Sequence, residues 1–70
     1  MAEQKIEANS IWSYKGRQYQ VNSLLLRNLI QDPELGCWRP TVRYTCYPNK
    51  DGLVFYRADT EFSRKFEFVE

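Results

Sequence analysis

Apolar and polar residues alternate over residues 11–21, and this alternation predicts a two-stranded β-hairpin. Lys15 and Gly16 can form its two-residue turn, because glycine accepts positive φ. In the resulting register Trp12 lies opposite Tyr19. The predicted apolar face consists of Trp12, Tyr14, Tyr19 and Val21. Such alternation is typical of a sheet with one face against the core and the other in water.

The next apolar stretch, residues 23–30, fits two structures. Ser23 could cap a two-turn helix, or the run could be a buried strand, since a short apolar run does not distinguish the two. We favour the strand. Pro33 moves the residue before it out of helical geometry, so residues 31–36 are predicted to form a turn or loop. We expect Asp32 and Glu34 to be solvated charges in that loop.

Strand character returns after Pro40 and predicts a second hairpin. If residues 48–52 form a five-residue loop, Tyr47 lies opposite Leu53 and the register is fixed. One predicted face faces the core and carries Val42, Tyr44, Cys46, Val54 and Tyr56. The other carries Arg43, Thr45, Tyr47, Leu53, Phe55 and Arg57. A slip of one residue would exchange the partners on these faces.

The last stretch predicts one helical turn and a final strand. Asp59 or Thr60 can cap a turn that runs to about Ser63. Residues 65–70 then alternate, with Phe66 and Phe68 inward and Lys65, Glu67 and Glu70 outward. Residues 1–9 are polar and are predicted to form a mobile tail. The sequence therefore predicts an all-β protein, a small SH3-like barrel of about five strands within residues 10–70, with one short helical turn before the last strand.

Composition supports one folded domain and narrows the chemistry. Seventy residues form a single domain, and the 43% hydrophobic share is typical of a folded chain. The N-terminus has no signal peptide and no segment could span a bilayer, so we expect a cytoplasmic protein with no membrane partner. Cys37 and Cys46 are then expected to be reduced and buried. Two thiols without a histidine cannot form a metal site, and no cofactor is expected.

Short motifs along residues 11–67 resemble a family of short bacterial proteins known as a domain of unknown function. Its members begin with a Tyr-x-Gly hairpin and end on a Gly-Leu-Trp-Val-Arg-Pro-like strand. The corresponding motifs here are Tyr14-Lys15-Gly16 with Tyr19 and Val21, Val42-Arg43-Tyr44 with Tyr47, and Gly52-Leu53-Val54-Phe55-Tyr56-Arg57 with Phe62 and Phe66. Arg27-Asn28 stands where the family has Arg-His, and Ala58 stands where it has Pro. The resemblance implies a compact β fold and no particular activity.

Several features argue against an enzyme. The chain has no histidine, which is the commonest general base, and its cysteines therefore have no histidine to activate them. The glycines at positions 16, 36 and 52 are isolated, so no phosphate-binding loop is present. We therefore predict a non-enzymatic interaction module.

Two kinds of partner fit this prediction. A protein partner or self-association is favoured, because Tyr, Trp and Arg are enriched at binding hot spots and edge strands accept partner strands. The alternative is single-stranded nucleic acid, bound by an aromatic and basic face; the net charge of +1 argues against it. The candidate interaction surface comprises Arg43, Tyr47, Phe55, Arg57, Trp38 and Arg39. Phe55 or Trp38 could instead belong to the core.

Overall fold

The computed structural model describes residues 5–69 and contains a single five-stranded antiparallel sheet. Its elements are β1 (Ile11–Tyr14), β2 (Arg17–Gln31), β3 (Trp38–Cys46), β4 (Phe55–Ala58), α1 (Asp59–Lys65) and β5 (Glu67–Val69). The strand order is β4-β3-β2-β1-β5. This order, with one short helix before the last strand, confirms the predicted all-β, SH3-like small barrel.

The first hairpin has the predicted turn and register. Trp12 lies opposite Tyr19, and Tyr14 lies opposite Arg17. Lys15 and Gly16 both have positive φ, 50° and 78°, as a two-residue hairpin turn requires.

Residues 23–30 form a strand, as favoured from the sequence. They belong to β2, which pairs with β3 through two irregularities, between Val21 and Ser23 and between Leu25 and Leu29. The second excludes residues 26–28 from the ladder, where the Thr41 hydroxyl donates to the Asn28 carbonyl at 2.6 Å. Bulges bend a strand, and these divide β2 into a part beside β1 and a part beyond it.

The predicted register of β3 and β4 is wrong by one residue. Tyr44 lies opposite Phe55, whereas the sequence had placed Tyr44 opposite Tyr56. The reason is the connection: β3 ends at Cys46 and β4 begins at Phe55, so residues 47–54 all lie outside the ladder. A five-residue loop therefore does not fix the register. The slip turns Phe55 and Arg57 to the core face, and Tyr56 to the outer face.

The core is an aromatic cluster between the sheet and α1. Its buried members are Trp12, Val21, Val42, Tyr44, Phe62 and Phe66. The rings of Phe62 and Phe66 are stacked, with their centroids 4.1 Å apart. The Trp12 ring packs edge-on against the Phe62 ring, with a centroid distance of 5.2 Å. Phe66 is thus inward as predicted. Phe68 contacts Trp12 edge-on at 5.5 Å but remains partly exposed at the sheet edge.

Helix α1 is longer than predicted and begins differently. It runs from Asp59 to Lys65, two residues beyond the predicted end at Ser63. Its N-cap is Ala58, with no side-chain cap hydrogen bond, so the predicted cap by Asp59 or Thr60 is wrong. Both side chains instead contact residues of the hairpin formed by β2 and β3.

The segment before β1 contacts the barrel from residue 6 onward. Ile6 packs against the core, and the Asn9 amide donates to the Val21 carbonyl at 2.7 Å. Residues 1–4 and Glu70, with its predicted outward side chain, lie outside the described residues. A mobile tail over residues 1–9, and a domain boundary at residue 10, stay predictions.

Candidate interaction surface

The far end of the β2–β3 hairpin carries an exposed apolar pair. We call this part the distal hairpin: Leu29–Gln31 paired with Trp38–Pro40, and the connecting residues 32–37. Leu29 lies opposite Pro40 and Gln31 opposite Trp38, so these side chains share one face. On that face Trp38 is 63% exposed and Leu29 is 57% exposed. Trp38 is therefore outside the core.

A buried carboxylate fastens the distal hairpin to α1. Asp32 is 0% exposed, and Arg64 donates to both of its carboxylate oxygens at 3.0 Å. The Thr60 hydroxyl donates to the same carboxylate, and the amides of Glu34 and Leu35 donate at 2.9 and 3.1 Å. The prediction of a solvated Asp32 is wrong, because a distant helix supplies the cation that the loop carboxylate needs.

This environment also sets the ionisation of Asp32. The Arg64 guanidinium holds the pKa of Asp32 far below its usual range. Burial opposes this shift by penalising the charged form, while Thr60 and the amides of Leu35 and Glu34 reinforce it. Glu34 is exposed as predicted, and its Oε2 lies 3.3 Å from Nε of Arg64. Asp32 is therefore ionised throughout the physiological pH range.

A second ion pair lies on the face of the distal hairpin that is opposite to the Trp38 side chain. Arg39, next to Trp38 along β3, points to that face and donates from Nε and Nη2 to Asp59 at 3.0 and 3.1 Å. An open cavity of about 480 Å³ lies between the distal hairpin and α1. It is lined by Leu35, Arg39, Asp59, Thr60, Ser63 and Arg64. The two ion pairs therefore fix the hairpin on one side and leave the Trp38 face open on the other.

The outer face of the sheet carries a separate exposed pair. Arg43 lies opposite Tyr56, and both side chains are exposed. Arg43 makes no ion pair within residues 5–69. Tyr47 is exposed in the loop after β3, beside a small groove that also contains Arg17 and Lys50. Arg43 and Tyr47 therefore remain on the surface, as the sequence predicted.

Phe55 and Arg57 point inward. Phe55 stacks on Tyr44 at 5.5 Å. Arg57, whose side chain is 28% exposed, donates from Nε to the Tyr44 hydroxyl at 2.8 Å and from Nη1 to Glu61 at 3.0 Å. Its guanidinium also lies 5.7 Å from the Phe66 ring centroid. Both residues therefore support the core, and neither can form part of a shared surface with Arg43.

The cysteines differ in exposure. Cys37 is exposed beside Trp38, whereas Cys46 is partly buried, and neither forms a disulfide. The expectation that both are buried is therefore wrong for Cys37. Its position in the loop of the distal hairpin, beyond the core, is the reason. Among residues 5–69, no group of three acidic, cysteine or histidine side chains is arranged to hold a metal ion.

The sequence missed three exposed apolar residues. The sequence pattern predicts Leu26 and Leu29 within a buried strand and Tyr56 in the core, whereas all three side chains are exposed. The apolar run gives no sign that β2 continues beyond the barrel, because periodicity does not report where a strand leaves its neighbours. The prediction for Tyr56 is wrong only because the predicted register of β3 and β4 is shifted by one residue.

Comparison of the chain with protein-family models, curated proteins and solved structures gave no match. The resemblance to the bacterial family therefore stays a prediction. In the part of the chain that the structure describes, no helix is long and apolar enough to cross a membrane.

Proposed function

We propose that this protein is a non-enzymatic interaction module, active in the cytoplasm, that binds a protein partner or a second copy of itself through the Trp38 face of the distal hairpin. The observation that carries the proposal is the 63% exposure of Trp38 beside the exposed Leu29. Tryptophan is one of the residue types enriched at binding hot spots, and exposure of such a large apolar ring to water is unfavourable. Membership of the bacterial family is part of this proposal.

The ion pairs behind Trp38 support a binding role. Association normally costs free energy for ordering flexible segments at an interface. Here the Asp32–Arg64 and Arg39–Asp59 pairs already hold the distal hairpin against α1. The Trp38 ring is therefore presented on an ordered element, and little of its binding energy is lost to ordering.

Site-specific crosslinking tests the proposal. Trp38 is replaced by the photoreactive residue benzoylphenylalanine, and Leu53, which is also an exposed apolar residue, receives the same replacement as a control. Irradiation in cells followed by mass spectrometry should give crosslinks from position 38 to a defined protein or to this chain, and few from position 53. Equal crosslinking at both positions, or none at position 38, would contradict the proposal.

A second candidate function is binding of single-stranded nucleic acid on the outer face. It is favoured by one observation: Arg43 makes no ion pair within residues 5–69 and lies opposite the exposed Tyr56, while Tyr47 is exposed beside a groove lined by Arg17, Lys50 and Asp51. Aromatic platforms with adjacent cations bind single strands.

An NMR titration with a single-stranded oligonucleotide at two salt concentrations separates the two candidates. Nucleic-acid binding predicts amide shifts at Arg43 and Tyr56 that weaken as salt increases. A protein-binding module predicts no shifts with the oligonucleotide at either salt concentration.

A further inference from the structure

All three charged side chains of the distal hairpin are paired with residues of α1. Asp32 and Arg39 form the two ion pairs described above. Glu34 is the third, and its carboxylate oxygens lie 3.3 Å from Nε of Arg64 and 3.4 Å from Nζ of Lys65. The charges of the distal hairpin are therefore engaged by the helix and lie away from the Trp38 side chain.

The Trp38 face is correspondingly uncharged. Its ladder residues are Leu29, Gln31, Trp38 and Pro40. This face offers no countercharge to an acidic or a basic partner, whereas it fits an equally uncharged apolar surface. Interfaces between identical chains are of this kind, since they are more apolar than other interfaces and charged residues are depleted at their cores. Every second copy of this chain presents such a surface.

The two exposed apolar side chains of this face are placed for a two-fold contact. Leu29 lies opposite Pro40 and Gln31 lies opposite Trp38, so Trp38 and Leu29 are diagonal neighbours on the ladder. A two-fold axis in the plane of the interface, midway between them, places Trp38 of each copy on Leu29 of the other. In such an isologous interface every contact occurs twice. The large ring meets the smaller leucine both times, so the face is complementary to itself.

We propose that the occupant of the Trp38 face is a second copy of this chain, and that the two copies form a two-fold dimer in which Trp38 of one packs on Leu29 of the other. This inference rests on the proposed function and selects one of the two occupants that the proposed function names. The exposed tryptophan is then covered by the same protein that carries it.

The area of the face sets the expected affinity. Taking about 250 Å² for a whole tryptophan, the 63% exposure of Trp38 leaves roughly 160 Å² per copy. Leu29 and the neighbouring Leu26, which is 68% exposed, add smaller areas. Stable interfaces bury at least about 1,000 Å² in total. We therefore expect a weak dimer with a dissociation constant between about 1 μM and 1 mM.

Sedimentation equilibrium with an exchange of charges tests the inference. Leu29→Glu and Trp38→Arg each place a charge against an apolar side chain at both contacts of a homodimer. In an equimolar mixture the introduced glutamate meets the introduced arginine at one contact, and the other contact keeps its native tryptophan and leucine. Both positions are more than half exposed, so the variants should fold, and far-UV circular dichroism checks this first. Leu53→Glu, at an exposed leucine in the loop between β3 and β4, is the matched control.

The inference predicts that wild type and Leu53→Glu dimerise alike, and that Leu29→Glu and Trp38→Arg each dimerise at least about tenfold more weakly. The mixture of these two should associate about tenfold more tightly than either variant alone. A wild-type chain that stays monomeric up to about 1 mM would overturn the inference. So would a variant that dimerises as wild type does, or a mixture that associates no more tightly than its components.

Acrylamide quenching of tryptophan emission gives a second measurement on the unaltered protein. Trp12 is 3% exposed, so nearly all of the quenchable emission comes from Trp38. The quenchable fraction should fall as the protein concentration rises through the dissociation constant. Constant quenching across the range in which the chain dimerises would show that Trp38 lies outside the interface.

Failure of the inference is distinguishable from failure of the proposed function. If wild type stays monomeric and crosslinks from position 38 reach a different protein, the inference is wrong and the proposed function stands. If wild type stays monomeric and position 38 gives no crosslink, both are wrong.

Discussion

Replacement of Arg57 by alanine should destabilise the protein, although sequence reasoning placed this arginine on the outer face. In the structure Arg57 donates to the Tyr44 hydroxyl at 2.8 Å and to Glu61 at 3.0 Å. Tyr44 is 4% exposed, so its hydroxyl loses its hydrogen-bond partner at a site that is largely shielded from water. Glu61 keeps a second contact with Lys65 at 3.0 Å. The main loss is therefore at Tyr44.

The expected cost is about 1.5–3 kcal/mol, the range for a hydrogen bond to a charged group that leaves a buried partner unsatisfied. The ion pair with Glu61 adds less, because the Arg57 side chain is partly exposed and solvent screens it. A domain of this size has roughly 4–10 kcal/mol of stability in total. The melting temperature should fall by about 4–8 °C for each kcal/mol lost.

Urea unfolding followed by far-UV circular dichroism measures this cost, with Arg43→Ala as the matched control. Arg43 is exposed and should cost no more than about 0.5 kcal/mol. Tyr44→Phe removes the acceptor, so Arg57→Ala should cost less in that background than in wild type. Equal stability of the Arg57→Ala and Arg43→Ala variants would refute the reasoning and would favour the register that places Tyr44 opposite Tyr56.

Three further predictions follow from the packing and the charges. Phe62→Ala should cost about 3–5 kcal/mol, since Phe62 is 0% exposed among aromatic rings, and a urea midpoint near wild type would contradict this. Asp32 has a lower pKa in the folded than in the unfolded chain, so its contribution is complete above the unfolded value of about 3.9 and is lost as pH falls below it. Wild type should therefore lose stability below about pH 4 more steeply than Asp32→Asn, as acid titrations would show, and equal slopes would count against it. Cys37 should react with a thiol reagent without denaturant and faster than Cys46, and equal rates by mass spectrometry would contradict the structure.

Local patterns predicted the parts of the fold that depend on neighbours in sequence. The first hairpin, the short helix before the last strand and the inward Phe66 all follow from turn chemistry and alternation over a few residues. The register of β3 and β4 did not follow, because the chain leaves the ladder from residue 47 to residue 54. In such a connection loop length no longer determines which residues face each other.

The candidate surface was only partly predictable. Trp38 could be named from its residue type, but its exposure depends on β2 and β3 extending beyond the barrel. The burial of Asp32 depends on Arg64, which meets it only after the chain has folded. Long-range contacts of this kind leave no local pattern in the sequence.

The central claim is that the Trp38 face binds a protein, and the most direct measurement is the affinity of the partner crosslinked at position 38. If the partner is this chain, the self-association constant takes its place. Trp38→Ala should weaken binding by about 2 kcal/mol or more, the threshold for a hot spot, which is about a thirtyfold increase in Kd. Leu53→Ala, a loss of a similarly exposed side chain, should leave Kd unchanged. A Trp38→Ala variant that folds and binds its partner as tightly as wild type would contradict the account.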